Sequence, residues 1–203
     1  MYMKLYITSG SPYARMVRIV VAEKNLEGRV ETVLAKTREV QSPYYDINPS
    51  GRVPYLLLDN GVGLENSALI CAYLDGIDQS SSLRTPVEPD LWEGPRLEAI
   101  ARSWLDGLSV WLREQSRPAS ERSMAIIRHE EARSERLANA WEKEIEAPLM
   151  RRPLHMVHIT LGCALGLEAR IPELRWRASH PKLEAWYATI SERPSFRTTA
   201  PER

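Results

Sequence analysis

The feature that most constrains the fold is a change of pattern near residue 80. Before it, short apolar runs of strand type alternate with helical stretches in the order β-α-β-α-β-β-α. After it, the long segments carry apolar residues at helical spacing. The intervening stretch QSSSLRTPVEPD (79–90) has three serines and two prolines and is typical of a linker. The sequence therefore predicts an α/β domain over 1–79, a linker over 80–90 and an all-helical domain over 91–203.

Local patterns place the elements within each half. Alternating or continuous apolar runs predict four strands, at KLYI (4–7), Val30–Leu34, Tyr55–Leu58 and Val62–Leu64. Asn60-Gly61 favours a hairpin between the last two strands. The helical half is predicted to contain four helices, at Leu91–Gln115, at 120–147, after Pro153 to near Glu168, and in HPKLEAWYATISERPSF up to Arg193-Pro194.

Charge and cysteine content narrow the classes of partner. Lys plus Arg and Asp plus Glu both number 27, so the formal net charge is zero and gives no general attraction to nucleic acid or an anionic membrane. No run approaches the roughly 18 apolar residues of a transmembrane helix, and MYMKLYITSG is unlike a signal peptide. Cys71 and Cys163 lie in apolar surroundings typical of buried thiols. We expect a cytoplasmic protein with no metal, membrane or nucleic-acid partner.

The first candidate motif is the turn SGSP, Ser9 to Pro12, between the first strand and the first helix. The ordinary interpretation of Ser11 is a helix cap. The functional alternative is that its hydroxyl and the helix N-terminus together stabilise a thiolate or another anion. No G-x-S-x-G motif accompanies this serine, so it does not resemble a hydrolase nucleophile.

Two further motifs follow, each with an ordinary and a functional interpretation. Pro54 stands directly before an apolar strand, where it either begins the strand or forms a cis bond that turns the Val53 backbone outward to pair with an extended peptide. Asn66 and Ser67 begin a helix, where they either cap it or bind a carboxylate through N–H and hydroxyl groups. His155 and His158 are spaced like metal ligands, but two ligands without a convincing third make a weak metal site.

Taken together, these motifs resemble the glutathione transferase superfamily, in particular its bacterial serine-type members. The resemblance rests on the S-P-Y-x-R turn from Ser11 to Arg15, the N-P-x-G-x-V-P segment from Asn48 to Pro54, and N-S-x-x-I-x-x-Y-L from Asn66 to Leu74. It extends through HPKLEAWYATISERPSF and so spans essentially the whole chain. It implies an N-terminal thioredoxin-like domain (βαβαββα) followed by the family's helical domain.

The resemblance also implies roles for single residues. Glutathione, the co-substrate, would pair its cysteine with the Val53 backbone beside a cis Pro54. Ser67 would bind the γ-glutamyl carboxylate, and Arg52 the glycyl carboxylate. Ser11, with Ser9 as the alternative, would donate a hydrogen bond to the glutathione thiolate.

The implied activity is conjugation of glutathione to a hydrophobic electrophile, or reduction of an organic peroxide, by a homodimer. The electrophile would lie between the two domains, and four residues are candidates for its pocket: Tyr13, Trp104, Asp106 and Trp111. Because Ser11 replaces the cysteine of other members, the expected chemistry is thiolate stabilisation rather than disulfide exchange. The alternative is a non-catalytic member that binds other proteins.

Two positions depart from the family pattern. The residue before Ser67 is commonly acidic or Gln, and here it is Asn66, which cannot pair as a charge with the γ-glutamyl ammonium; the adjacent Glu65 is the candidate substitute. The helix after Pro153 usually begins with a Ser/Thr-x-x-Asp capping box, and here His155 and His158 occupy those places. We expect this to weaken the cap by about 1 kcal/mol at most.

Overall fold

The computed structural model of the chain describes residues 2–78, 80–87 and 90–201. These residues form two compact units, the first reaching to Arg84 and including Thr198–Ala200, the second comprising Thr85–Arg197 and Pro201. The change of unit between Arg84 and Thr85 falls within the linker predicted over 80–90. Positions 79, 88 and 89 of that region lie outside the described residues, as do 1, 202 and 203.

The first unit contains a four-stranded sheet and three helices. In chain order these are β1 (Met3–Ile7), α1 (Pro12–Glu23), β2 (Val30–Leu34), α2 (Tyr44–Ile47), β3 (Tyr55–Leu57), β4 (Gly63–Glu65) and α3 (Ser67–Asp75). The strand order is β2-β1-β3-β4. Strands β1 and β2 are parallel and joined by the α1 crossover, while β1–β3 and β3–β4 are antiparallel. This confirms the predicted βαβαββα order.

Successive residues of β1 face opposite sides of this sheet. Leu5 pairs with Leu56, and both are essentially fully buried, as are Ile19 of α1 and Ile70 of α3. On the other side, the Tyr6 ring lies 5.5 Å from the ring of Tyr44 in α2. Helices α1 and α3 contact each other. Apolar side chains on both faces of β1 are therefore what lets a helix cover each face.

The hairpin differs by one residue from its prediction. Strand β3 ends at Leu57 rather than Leu58, and β4 begins at Gly63 rather than Val62. The Leu58 N–H donates to the Val62 carbonyl at 2.9 Å, so these two residues close the turn instead of extending the strands. Gly61, at φ +82°, adopts a conformation that glycine allows without strain.

The second unit is helical. Its α-helices are α4 (Glu93–Gln115), α5 (Met124–Glu144), α6 (Met156–Leu165), α7 (Pro181–Ser191) and the short α8 (Pro194–Thr198). Helix α4 contacts both α5 and α6. The prediction that the last helix stops at Arg193-Pro194 misses α8, because proline is well tolerated in the first turn of a new helix. None of the helices described is both long and apolar enough to cross a bilayer.

Helix α6 begins with the unusual histidine cap. The His155 N–H donates to His158 Nδ1 at 3.2 Å, which is the bond that an N3 carboxylate makes in a capping box. An imidazole thus supplies one half of the expected box. Whether the cap is weaker than a carboxylate cap remains a prediction.

Candidate functional site

Three of the segments singled out in the sequence meet at one edge of the sheet. Tyr6 of β1 pairs with Tyr55 of β3, and Tyr55 pairs with Glu65 of β4. Strand β1 ends one residue after this row, β3 begins on it and β4 ends on it. The Ser9–Ser11 turn, the Val53-Pro54 bond and the Asn66–Ser67 pair therefore all leave the sheet at the same edge.

The turn after β1 places Ser11 at the start of α1. The Ser11 N–H donates to the Thr8 carbonyl at 3.2 Å, and the Ser11 Oγ accepts from the Ala14 N–H at 3.2 Å. Ser11 is thus a helix cap, as its ordinary interpretation predicts. Its hydroxyl proton donates to none of the described residues. Because a hydroxyl can accept and donate at once, the cap leaves the proton available for an anion. Ser9 is exposed in the middle of the turn.

The Val53-Pro54 peptide bond is cis, as the functional interpretation of that motif predicts. Val53 is half-buried. Its N–H and C=O form no hydrogen bond with the described part of the chain. A backbone segment with a free donor and acceptor is what an extended peptide requires for strand-like pairing.

The peptide unit before Val53 is held from the inside. The Arg52 carbonyl accepts hydrogen bonds from the Tyr44 hydroxyl and from Asn48 Nδ2, the latter at 3.0 Å. Asn48 Oδ1 in turn accepts from the Ser50 N–H at 3.1 Å. Tyr44 and Asn48 are 5% and 2% exposed, so this clamp is internal. The sequence patterns assigned no role to Tyr44, and they marked Asn48 only as the first residue of the N-P-x-G-x-V-P motif.

Gly51 allows this loop to form. Its φ is +65°, and a Cβ at this position would lie 2.8 Å from Cε1 of Tyr45. A larger residue would be strained in the backbone and would also displace the Tyr45 ring. The glycine of the N-P-x-G-x-V-P motif is therefore required by the loop itself.

Asn66 and Ser67 begin α3. Asn66 is the N-cap, and its Oδ1 accepts from the Ala68 N–H at 2.8 Å and from the Leu69 N–H at 3.4 Å. Ser67 is buried, in the first position of the helix. The helix N-terminus and the Ser67 hydroxyl are suited to binding a carboxylate. The side-chain oxygen of Asn66, Oδ1, is thus used by the cap.

Two charged candidates lie beside these segments. Glu65 is half-buried at the end of β4, and its carboxylate accepts a hydrogen bond from Ser50 Oγ at 2.7 Å. Ser50 Oγ also accepts from the Arg52 N–H at 3.2 Å, which links β4 to the loop before Val53. The Arg52 guanidinium is exposed and pairs with no carboxylate of the described residues. Its charge is therefore available to an anionic ligand.

The pocket candidates divide into three kinds. Tyr13 is half-buried in the first turn of α1, and Asp106 is exposed. Trp104 and Trp111 are each 1% exposed, and Trp104 Nε1 donates to Ser134 Oγ of α5 at 2.8 Å. Both tryptophans are packed in the core of the helical unit, and a role for them in the wall of a pocket stays a prediction. Their helical spacing could not distinguish the two roles.

Neither the pair of histidines, His155 and His158, nor the two cysteines indicate a metal centre. Among the described residues, no group of three or more His, Cys, Asp or Glu side chains is arranged to hold a metal ion. Cys71 and Cys163 are buried, and neither forms a disulfide bond in the described part of the chain. His155 and His158 serve the cap of α6 instead.

Comparison with known proteins identifies the family. The glutathione S-transferase N-terminal domain profile matches residues 10–77. A glutathione S-transferase from Methylobacillus flagellatus, solved with bound GSH, is 33% identical, with 98% of this chain and 99% of that chain covered and a TM-score of 0.86. A glutathione transferase family member from Pseudomonas fluorescens, solved with bound glutathione, is 30% identical, with coverage of 99% and 100% and a TM-score of 0.86.

A curated relative agrees with these structures. Glutathione S-transferase 2 of Saccharomyces cerevisiae is 28% identical over 208 residues, which cover 96% of this chain and 88% of the yeast protein. The likeness to these relatives runs through both units, and the thioredoxin-like fold with a helical C-terminal region is confirmed. The chain belongs to the glutathione S-transferase superfamily.

Proposed function

We propose that this protein is a glutathione transferase that binds glutathione along the edge where β1, β3 and β4 meet the loops. The observation that carries the proposal is the row Tyr6–Tyr55–Glu65, which brings a hydroxyl, a free backbone donor and acceptor, and a helix N-terminus to one edge. Two relatives at 30% identity or more were solved with glutathione bound. Glutathione offers a thiol, a peptide backbone and a carboxylate, which are the complements of these three features.

In the proposed binding mode each feature meets one part of the tripeptide. The Val53 N–H and C=O pair with the backbone of the glutathione cysteine. Ser67 and the N-terminus of α3 bind the γ-glutamyl carboxylate. Arg52 supplies a positive charge for the glycyl carboxylate, and Glu65 supplies a negative one for the γ-glutamyl ammonium.

The proposed mechanism activates the thiol by a hydrogen bond. Ser11 donates its hydroxyl proton to the glutathione sulfur, which favours the thiolate and lowers the pKa of the bound thiol. The thiol proton passes to solvent. The sulfur then attacks an electrophilic carbon, forming an S–C bond while the leaving group departs with its electron pair. Ser11 lacks a thiol, so this site cannot form a mixed disulfide with glutathione.

The wider setting of the proposal is a cytoplasmic homodimer acting on hydrophobic electrophiles. The lack of a disulfide between the two described cysteines is consistent with a reducing compartment. Family membership supports the dimer. The same membership leaves open a non-catalytic role, which the experiment below separates from catalysis.

The experiment titrates the bound thiol. Glutathione affinity is measured by calorimetry, and the pKa of the bound thiol by thiolate absorbance, for the wild type, Ser11→Ala and Ser11→Asp. Ser11→Ala is expected to raise the thiol pKa by about 1 to 2 units while glutathione still binds. It also removes the cap, at a cost of about 1 kcal/mol in the free energy of unfolding.

Ser11→Asp is the matched control for the cap. Its carboxylate can still accept from the Ala14 N–H, so stability is retained, but its charge faces the thiolate and raises the thiol pKa. A wild type that does not bind glutathione contradicts the proposal. A protein that binds glutathione but leaves the thiol pKa at its solution value in every variant is a binding protein rather than a transferase.

A further inference from the structure

The Arg52 carbonyl and the Val53 N–H belong to the same peptide unit. This bond is trans, since Val53-Pro54 is the one cis bond that the described residues contain. In a planar trans peptide the C=O and N–H bonds point in opposite directions. Whatever fixes the direction of the Arg52 carbonyl therefore also fixes the direction of the Val53 N–H.

Two buried donors fix that carbonyl. The Tyr44 hydroxyl and Asn48 Nδ2 both donate to it, from side chains that are 5% and 2% exposed. The Arg52 C=O thus points into the unit, and the Val53 N–H points away from this clamp. The Val53 N–H has no partner among the described residues, so nothing on its own side holds it.

The clamp is itself rigid. The Tyr44 ring lies 5.5 Å from the Tyr6 ring, and Asn48 also bonds the Ser50 N–H at 3.1 Å. The Tyr44 hydroxyl is protonated at neutral pH and can donate, and burial raises its pKa further above the usual range. Hydrogen bonds to a peptide carbonyl also polarise the amide and strengthen its N–H as a donor.

We propose that Tyr44 and Asn48 are positioning residues for glutathione, which aim and polarise the Val53 N–H through the Arg52–Val53 peptide. They touch no ligand themselves. This inference rests on the proposed function, because it assigns the Val53 N–H to the backbone of the glutathione cysteine. It predicts that a hydroxyl buried behind the loop controls affinity for a peptide ligand in front of it.

The test removes that hydroxyl alone. Tyr44→Phe keeps the ring and is expected to weaken glutathione binding about fivefold, the scale of one lost hydrogen bond. S-methylglutathione should lose affinity by the same factor, because the affected contact is to the peptide backbone. The pKa of the bound thiol should stay at its wild-type value.

Tyr45→Phe is the matched control. Tyr45 belongs to the same helix, and its hydroxyl donates to the Thr37 carbonyl at 3.1 Å, away from Arg52. This variant loses an equivalent bond and is expected to bind glutathione within about twofold of the wild type. Equal affinities of Tyr44→Phe and the wild type, in a protein that binds glutathione, overturn the inference.

A second measurement needs no ligand. The NMR order parameter of the Val53 N–H in the free protein should fall in Tyr44→Phe and stay unchanged in Tyr45→Phe. If the wild type fails to bind glutathione but this change is seen, the proposed function is wrong and the clamp stands. If the order parameter stays the same in both variants, the clamp is wrong whatever the protein binds.

Discussion

Asn66 combines a strained backbone with a cap. Its φ is +76° and its ψ is 135°, a combination outside the regions that residues with a Cβ normally occupy. Its Oδ1 bonds the N–H groups of Ala68 and Leu69. Aspartate could keep both features and add the negative charge that Asn66 lacks.

We therefore expect Asn66→Asp to tighten glutathione binding. A carboxylate near the γ-glutamyl ammonium should lower the Kd about three- to tenfold at low salt, and about 0.5 M NaCl should remove most of the gain. Calorimetry at the two salt concentrations measures this. Asn60→Asp is the matched control, because Asn60 Oδ1 also accepts a backbone N–H, that of Val62 at 3.0 Å, in an exposed turn. The same gain in both variants would contradict the prediction.

At the scale of elements, the start of α6 depends on a buried histidine pair. The rings of His155 and His158 stack at 3.9 Å and are 1% and 3% exposed. Since His158 Nδ1 accepts the His155 N–H, its proton is on Nε2, which donates to the Met150 carbonyl at 3.2 Å. A protonated His158 would lose this acceptor.

The surroundings also oppose protonation of His158. Burial, followed by the neighbouring His155 and by Arg193, lowers the pKa of His158 to about 3. Burial likewise lowers the pKa of His155, with Glu98 favouring and Arg152 opposing its protonated form. Both histidines are therefore neutral in the folded protein at pH 7.

We expect acid to destabilise the protein through this pair. The unfolded chain binds a proton at His158 near pH 6.5, whereas the folded chain does not until about pH 3. The free energy of unfolding should therefore be level above pH 7 and fall by about 1 kcal/mol per unit below pH 6.5. Urea unfolding at pH 7.5, 6.5 and 5.5 measures this slope.

His158→Asn is expected to reduce the slope, because its Oδ1 can accept the His155 N–H without titrating. Substitution of His129, which is exposed, by Gln should leave the slope unchanged. A slope that is the same in His158→Asn and in the wild type would assign the acid sensitivity to other groups.

A second element-scale feature joins the ends of α1 and α3. The Lys24 ammonium lies 3.4 Å from Asp75 and 2.8 Å from Asp78, and its side chain is 1% exposed. Asp75 also accepts from the Leu83 N–H at 2.8 Å. Burial alone would lower the pKa of Lys24, but Asp78 and Asp75 outweigh it and raise the pKa. The ion pair therefore holds the chain that leaves α3 against α1.

Lys24→Met is expected to lower the free energy of unfolding by about 3 kcal/mol, because it leaves the buried Asp75 carboxylate without its ammonium. Lys182→Met offers a matched control, since Lys182 pairs with Glu146 where both side chains are about half exposed. That exposed pair should contribute at most about 0.5 kcal/mol. Equal losses in the two variants, measured by urea unfolding, would refute a special role for the buried pair.

At the scale of the whole molecule, local patterns predicted the architecture because in both halves the pattern of apolar residues agrees with the element that each segment forms. The apolar run of β1 follows from burial of both of its faces, and the helical spacing in α4 from burial of one face. Tyr44 escaped detection because its role depends on a carbonyl eight residues later, which no pattern of side chains marks. The spacing of Trp104 and Trp111 does not decide their role, because a buried helix face and a pocket wall have the same spacing.

Exposed apolar side chains bear on the assembly state of the protein. Leu69 of α3 is 53% exposed and Met124 of α5 is also 53% exposed, so each unit leaves a large apolar side chain in solvent. Burying such side chains favours association, and a chain with a formal net charge of zero has no net repulsion between its copies. The homodimer therefore stays a prediction, and sedimentation can test it.

We expect sedimentation to show a dimer whose dissociation constant changes little between about 0.1 and 0.5 M salt, because apolar burial is only weakly screened. Leu69→Lys should weaken the dimer at least about tenfold. In the predicted interface the substitution replaces an apolar side chain that dimerisation buries by an ammonium that dimerisation would strip of water. Val40→Lys is the control, because Val40 is 93% exposed and its replacement tests only the added charge. A dimer equally stable in all three proteins would place the interface away from Leu69, and a wild-type monomer would contradict the predicted homodimer.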